Sequence, residues 1–229
     1  MPVDMELEMV LRPKQYPMVP YPPKVITLAN GKKMVVRQAA REDVPAILQS
    51  VHPCLFIERD YYDVVSARLY GELLAWYHYR VKSEYCLMGQ IDGYLVGVVN
   101  GRLENEKVGM SYHTLAIDRG LRIGSHLFAA KMEYHMEYLG QESVLIVAES
   151  PIGFRRWMIE YPLEKTDIPH ELGGGDSYNL TREIYFAAKP RLVVGDRPVP
   201  QDLLDLAMAE IKFADEAAIR EKIAGLKGR

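Results

Sequence analysis

Residues 108–140, VGMSYHTLAIDRGLRIGSHLFAAKMEYHMEYLG, decide the reading of this chain. An apolar run closes on Leu115-Ala116-Ile117 and meets a short turn, Arg119-Gly120-Leu121-Arg122. Ile123-Gly124-Ser125 then opens a segment with apolar residues at 123, 127, 130, 134 and 138, the spacing of one helix face. Gly140 follows as a stop signal. A strand, a glycine turn and a helix N-terminus make an anion site, because the first-turn N–H groups lack intrahelical partners and the helix dipole is positive there. Residues 119–125 are therefore predicted to hold a phosphate-bearing ligand.

On the N-terminal side, Asp92-Gly93 sits between apolar runs at 85–91 and 94–101 and signals a hairpin. Asn30-Gly31 does the same between 25–29 and 33–38. Residues 41–51 read as a helix with Pro45 in its first turn. Asp60 is placed to cap a long helix ending near Lys82, with Val65, Leu69, Leu73 and Trp76 on one face. On the C-terminal side, SVLIVA at 143–148 is a continuous apolar run of strand length, as expected of a strand buried on both faces. Pro151 can start a helix to about Glu160, the loop HELGGGDS follows, and 179–188 reads as a last strand.

The order β-β-α-α-β-β-β-α-β-α-β, with the loop at 119–125, resembles the GNAT superfamily of acyl-CoA N-acyltransferases over roughly residues 33–189. That family carries Leu-Ala-Val, a short turn, and Arg/Gln-x-x-Gly-x-Gly/Ala at a helix start. Here Arg119 and Gly124 match, and Arg122 stands where the first family glycine would be. A side chain at 122 either crowds a close phosphate or supplies it a cation.

The resemblance implies a mixed α/β fold, a mostly antiparallel sheet flanked by helices. It also implies acetyl-CoA as co-substrate, with direct attack of an amine acceptor on the thioester. The acceptor is left open between a small molecule and a protein lysine. In the family two central parallel strands part and pantetheine lies between them; here these are 108–117 and 143–148. Backbone at Leu115, Ala116 and Ile117 is then expected to meet pantetheine and the thioester carbonyl. Arg119, Gly120, Leu121, Arg122, Ile123, Gly124 and Ser125 are expected at the phosphates. Arg155, beside Arg156, either reaches those phosphates or is solvated.

His113 and Glu149 are the candidate bases, each with a bland alternative as a satisfied sheet residue and a solvated strand-end carboxylate. The family's leaving-group acid is often a Tyr on the helix after the second parting strand. Trp157 falls at that position, and Tyr161, one turn on, either substitutes or packs as a core aromatic. The rival reading is a non-catalytic CoA-binding or scaffolding protein of the same fold.

The whole chain bounds these readings. Its 229 residues suggest an extended Pro/Tyr-rich arm at 1–24, an acyltransferase domain at 25–189, and a linker with an amphipathic helical extension at 190–229. A net charge of −3 argues against a general nucleic-acid binder. No apolar run is long enough to span a membrane. The first residues show no signal-peptide pattern, and Cys54 and Cys86 form no CxxC pair, so the expected location is the cytoplasm. The six histidines show no metal-ligand spacing, and no metal is expected. Apolar side chains on the arm and on the C-terminal helix need cover, either from their own subunit or in a homodimer.

Overall fold

The computed structural model describes residues 15–147, 149–173 and 175–224. Its elements are β1 (Lys24–Thr27), β2 (Lys33–Gln38), α1 (Val44–Val51), α2 (Tyr62–Tyr77), β3 (Glu84–Ile91), β4 (Tyr94–Leu103), β5 (Val108–Ala116), α3 (Ile123–Glu133), β6 (Ser143–Val147), α4 (Pro151–Glu160), β7 (Glu164–Thr166), β8 (Ser177–Thr181), α5 (Arg182–Leu192), α6 (Gln201–Met208) and α7 (Glu216–Ala224). One eight-stranded sheet runs β1-β2-β3-β4-β5-β6-β8-β7. Every pairing is antiparallel except β5 with β6. No helix among the described residues is long and apolar enough to cross a membrane.

Both faces of the sheet are covered, and the period-two alternation of β3 shows how. Tyr85 and Leu87 pack on α3 through Ile123, Leu127, Ala130 and Tyr134. Cys86 and Met88, one residue out of phase, pack with Ile47, Leu69, Leu73 and Trp76 of α1 and α2. A third cluster fills the C-terminal half, where Phe128 and Met132 of α3 meet Val144, Ile146, Trp157 and Leu180. The turn at Asp92-Gly93 has φ of 54° and 81°, the two positive angles a two-residue hairpin loop needs. Gly140, at φ 70°, ends the helical run begun by α3.

Three expectations are corrected. Asp60 does not cap α2: Asp60 and Tyr61 are both left-handed, at φ 57° and 62°, and the Asp60 carboxylate binds Arg119 instead. The helix stops at Tyr77 rather than near Lys82, because Tyr79 turns left-handed at φ 58°. The last strand ends at Thr181, not 188. Thr181 Oγ1 accepts the N–H of Ile184, with Glu183 in the first turn, and this N-cap starts α5 inside the segment read as strand.

The terminal segments lie on this body. Residues 15–23 form no helix or strand, and Tyr21 is buried against Tyr134 and Tyr138. Residues 1–14 of the predicted arm fall outside the described residues. Ala207 of α6 packs on Val25 and Val35, and Ile211 and Ile219 join the α1–α2 core.

One buried carboxylate ties both ends to α3. Glu133 accepts from Tyr21 Oη at 2.6 Å, Lys24 Nζ at 2.8 Å, and Arg197 Nη1 and Nη2 at 2.9 and 3.2 Å. Burial alone would raise the Glu133 pKa, but these hydrogen bonds and the Lys24 charge outweigh it and hold it down at about 2. Lys24 gives back part of that gain, since burial holds its ammonium below the usual lysine range. A depressed folded-state pKa contributes stability that is present above the unfolded value and lost as pH falls through the interval down to the folded one. Glu133→Gln is therefore expected to cost about 3 kcal/mol at neutral pH. The wild-type advantage should shrink on acidification from about pH 5 downward. Urea midpoints of both proteins between neutral and acidic pH check this, and a gap constant with pH would contradict the assignment.

Candidate active site

The parallel ladder between β5 and β6 is short. It runs from Val108↔Ser143 to Ser111↔Ile146, while β5 continues to Ala116 and keeps its pairing with β4 as far as Gly97↔Ala116. From Tyr112 onward the β6-side edge of β5 is open, and the two parallel strands part around a cleft. The β4–β5 register also shifts between Val99 and Gly101, which inserts an extra residue in β5 at Tyr112-His113. Asn100 sits opposite the bulge; its Oδ1 accepts the N–H of His113 at 3.0 Å, and its Nδ2 donates to Glu84 Oε1 at 3.0 Å.

At this parting the structure brings together the two residues the sequence singled out separately. His113 Nδ1 lies 2.6 Å from Glu149 Oε2, and Arg68 of α2 donates to Glu149 Oε1 at 3.0 Å. Burial tends to raise the Glu149 pKa, but the hydrogen bonds and charges of His113 and Arg68 prevail and lower it. An ionised Glu149 accepts the hydrogen that the imidazole carries on Nδ1, which leaves Nε2 as the ring nitrogen turned away from it. The ring is wholly buried, and Nε2 has no hydrogen-bond partner among the described residues.

Several neighbours escaped the sequence reading. Tyr112 Oη donates to Glu171 Oε2 at 2.8 Å, and Arg102 pairs with the same carboxylate at 3.0 Å, which fastens Glu171 to β5 and β4. Burial pushes the Glu84 carboxyl up to about 8, so at neutral pH it is mostly protonated beside Asn100. Lys131 of α3 is fully buried. Its Nζ reaches the carbonyl oxygens of His113 at 3.1 Å, Asn100 at 3.2 Å and Tyr112 at 3.4 Å, and Thr114 Oγ1 at 3.3 Å. Burial lowers its pKa to about 7, although the Glu149 charge opposes this. The signal for Lys131 was in the sequence: a lysine four residues after Leu127 falls on the face of α3 that must be buried.

The turn at 117–122 follows β5 directly. Ile117 and Asp118 both donate their N–H to Val96 O, and Gly120 turns at φ +99°. Arg122 is left-handed, at φ 59° and ψ 23°, a backbone conformation that favours glycine. Its Nη2 donates to Glu160 Oε1 at 2.5 Å. Arg119 Nη1 donates to Asp60 Oδ2 at 2.9 Å and lies over the Tyr62 ring. Tyr62 Oη in turn donates to Ala116 O at 2.7 Å. Gly124 has ordinary clearance, with Ala116 and Thr114 atoms at 3.7 and 3.8 Å from an added Cβ. Ser125 is half-buried at the helix start, Ile123 and Leu115 are core residues, and Leu121 packs on the α3 cluster. Arg155 is exposed on α4. Tyr161 is buried with Phe128 and Trp157 and makes no hydrogen bond to His113 or Glu149.

No family model matches the chain, and no curated protein matches it. Solved structures do. An uncharacterized protein from Bacillus halodurans is similar at 10% identity over 74% of this chain and 95% of that one, with a TM-score of 0.53. FdhC, described as a nucleotide-linked sugar GNAT, has 12% identity over 78% of this chain and 100% of that one, at 0.49. Spermidine N-acetyltransferase from Vibrio cholerae, solved with CoA and spermine, has 14% identity over 67% of this chain and 98% of that one, at 0.47. At these identities the likeness concerns fold. The element order, the antiparallel sheet with one parallel pair, the parting of that pair, and the strand–turn–helix beside it are the arrangement that the sequence resemblance implies.

Proposed function

We propose that this protein is an N-acetyltransferase that moves the acetyl group of acetyl-CoA to an amine by direct attack. The observation that carries the reading is the His113–Glu149 pair at the point where β5 and β6 part. An ammonium has no lone pair and must lose a proton before attack. Glu149 holds the imidazole with Nε2 as the acceptor for that proton. The phosphates of acetyl-CoA sit at the N-terminus of α3, with Arg119 and Arg122 exchanging Asp60 and Glu160 for phosphate oxygens. Pantetheine follows the open edge of β5 at 114–117. Once His113 has taken the ammonium's first proton, the amine nitrogen bonds to the thioester carbonyl carbon, a backbone N–H meets the oxyanion, the carbon–sulfur bond breaks, and the nitrogen's second proton goes to the departing CoA thiolate.

His113→Gln and Glu149→Gln are each expected to lower kcat by about 10²–10⁴-fold while acetyl-CoA affinity changes little. Release of free thiol from acetyl-CoA over a panel of small amines and lysine peptides, with calorimetry in parallel, tests this. Acetyl-CoA binding without turnover over the whole panel would support the non-catalytic CoA-binding reading. Binding of ATP or NAD in place of CoA would overturn both.

Arg122 gives a separate test. Arg122→Ala is expected to weaken acetyl-CoA binding by about 1.5–3 kcal/mol, the range of a hydrogen bond to a charged group. In the unliganded protein Arg122→Gly should be more stable than Arg122→Ala by about 1 kcal/mol, because glycine takes the left-handed backbone without strain. Denaturant melts of the two variants measure that difference directly. Equal midpoints would contradict a strained backbone at 122.

A cytoplasmic location is proposed from the two cysteines, both free and buried. A homodimer is proposed from the apolar side chains left exposed at the C-terminal helices, Met208 and Phe213. Light scattering on the full chain at tens of micromolar tests it, and a monomer there would rule it out.

A further inference from the structure

The strand geometry around the bulge singles out one backbone donor in the cleft and one side chain that acts on it. Ile117 donates its N–H to Val96 O on β4, and His113 donates its own to Asn100 Oδ1 on the same side. Leu115, between them, is aligned with Val98 of β4. N–H groups alternate edges along a strand, so those of 113, 115 and 117 face β4 while those of Thr114 and Ala116 face the opposite edge. On that edge the β6 ladder has already ended at Ile146. The N–H of Thr114 therefore points into the cleft, one peptide beyond His113. Leu115 and Ile117, expected to present their backbone to the thioester, point their N–H groups into the sheet.

A trans peptide directs its C=O opposite to its N–H. The C=O of the 113–114 peptide belongs to His113, and it is the acceptor nearest to Lys131 Nζ, at 3.1 Å. Lys131 has no exposure to water. A cation on a carbonyl oxygen draws electron density through the amide and strengthens the hydrogen bond its N–H can give, and low surrounding polarity strengthens the effect.

We infer that Lys131 is a positioning residue that polarises the 113–114 peptide from behind, and so strengthens the Thr114 N–H as the backbone donor that the acyltransferase reading already calls for at the oxyanion. The inference deepens the acyltransferase reading, and its kinetic consequence rests on that reading; the polarisation does not. The geometry supports it in three ways. Lys131 and Asn100 together fix the bulge that turns Thr114 outward. Lys131 makes no ion pair among the described residues, so its charge acts on carbonyls and not on a carboxylate. α3, which carries Lys131, is also the helix whose N-terminus takes the phosphates, so both ends of acetyl-CoA are read by one rigid element.

The test has a spectroscopic and a kinetic arm. In the native protein, the Lys131 side-chain nitrogen and the Thr114 amide proton are followed together by NMR from acid to alkaline pH. The Thr114 proton should move upfield with the same midpoint as Lys131 loses its proton. Glu84, Glu149, His113, His170 and Cys86 also face this region, so the step is assigned by its loss in Lys131→Met. In the kinetic arm Lys131→Met should lower kcat by roughly 30-fold or more, with the KM for acetyl-CoA changed by less than about threefold, and Lys131→Arg should restore part of kcat. A Thr114 proton indifferent to the Lys131 titration overturns the inference, whether or not the variants fold. So does a folded Lys131→Met protein that keeps kcat within about twofold. If native protein releases no thiol with any amine, the acyltransferase reading fails, and the NMR arm decides the polarisation separately.

Discussion

β6 has five residues and β5 has nine, so their parallel ladder must end before β5 does. From Tyr112 to Ala116 one edge of a central, buried strand is left without a neighbour. Backbone donors and acceptors in the interior need partners, and a strand edge in the middle of a sheet is an unusual place to lack them. The chain satisfies some of these groups itself, as Tyr62 Oη does for Ala116 O. The rest form a row of polar groups along the open edge of β5. The short β6, the loop at 117–122 and the helix start at Ile123 are parts of one arrangement, because each follows from where those two strands separate.

The second constraint is the extra residue in β5. A bulge leaves backbone groups out of the ladder, and here they are met by side chains from β4 and α3, with one from β3 behind them. Asn100 takes the His113 N–H, Glu84 steadies Asn100, and Lys131 gathers the carbonyls from below. A buried lysine and a buried, largely protonated glutamic acid are costly in isolation. Their retention at one bulge is understandable if the geometry of His113 and Thr114 depends on them. Loss of either would leave an unpaired polar group beneath the cleft.

Charge is distributed differently around the loop. Arg119 and Arg122 are each held by a carboxylate of the same chain, Asp60 and Glu160. These pairs keep the loop ordered without a ligand, and they set what an anion must displace. On the proposed function, a pyrophosphate would offer these arginines more acceptor oxygens and more charge than a single carboxylate does. Both carboxylates come from elements distant in sequence, Asp60 before α2 and Glu160 at the end of α4. The loop is therefore coupled to the helices on both sides of the cleft.

Much of the fold was legible in the sequence. Asn30-Gly31 and Asp92-Gly93 marked their hairpins, and the stripe at 123, 127, 130 and 134 marked the helix that fills the sheet's face. SVLIVA was recognisable as a strand covered on both sides. These are local signals, in which dihedral preference and side-chain period act within a few residues. The errors were also local competitions lost to neighbours. Thr181 capped a helix inside a β-rich run, and Asp60 gave its carboxylate to Arg119 instead of to a helix start. The sequence alone determined the types of residue at the site, including His113, Glu149 and the arginines of the loop. Only the tertiary structure decided that His113 and Glu149, 36 positions apart, face each other at 2.6 Å, and that Lys131 lies under β4 and β5. Contacts of that kind depend on strand register and on where a ladder ends. One extra residue in β5 changes which edge every later N–H faces, and no window of sequence records that shift.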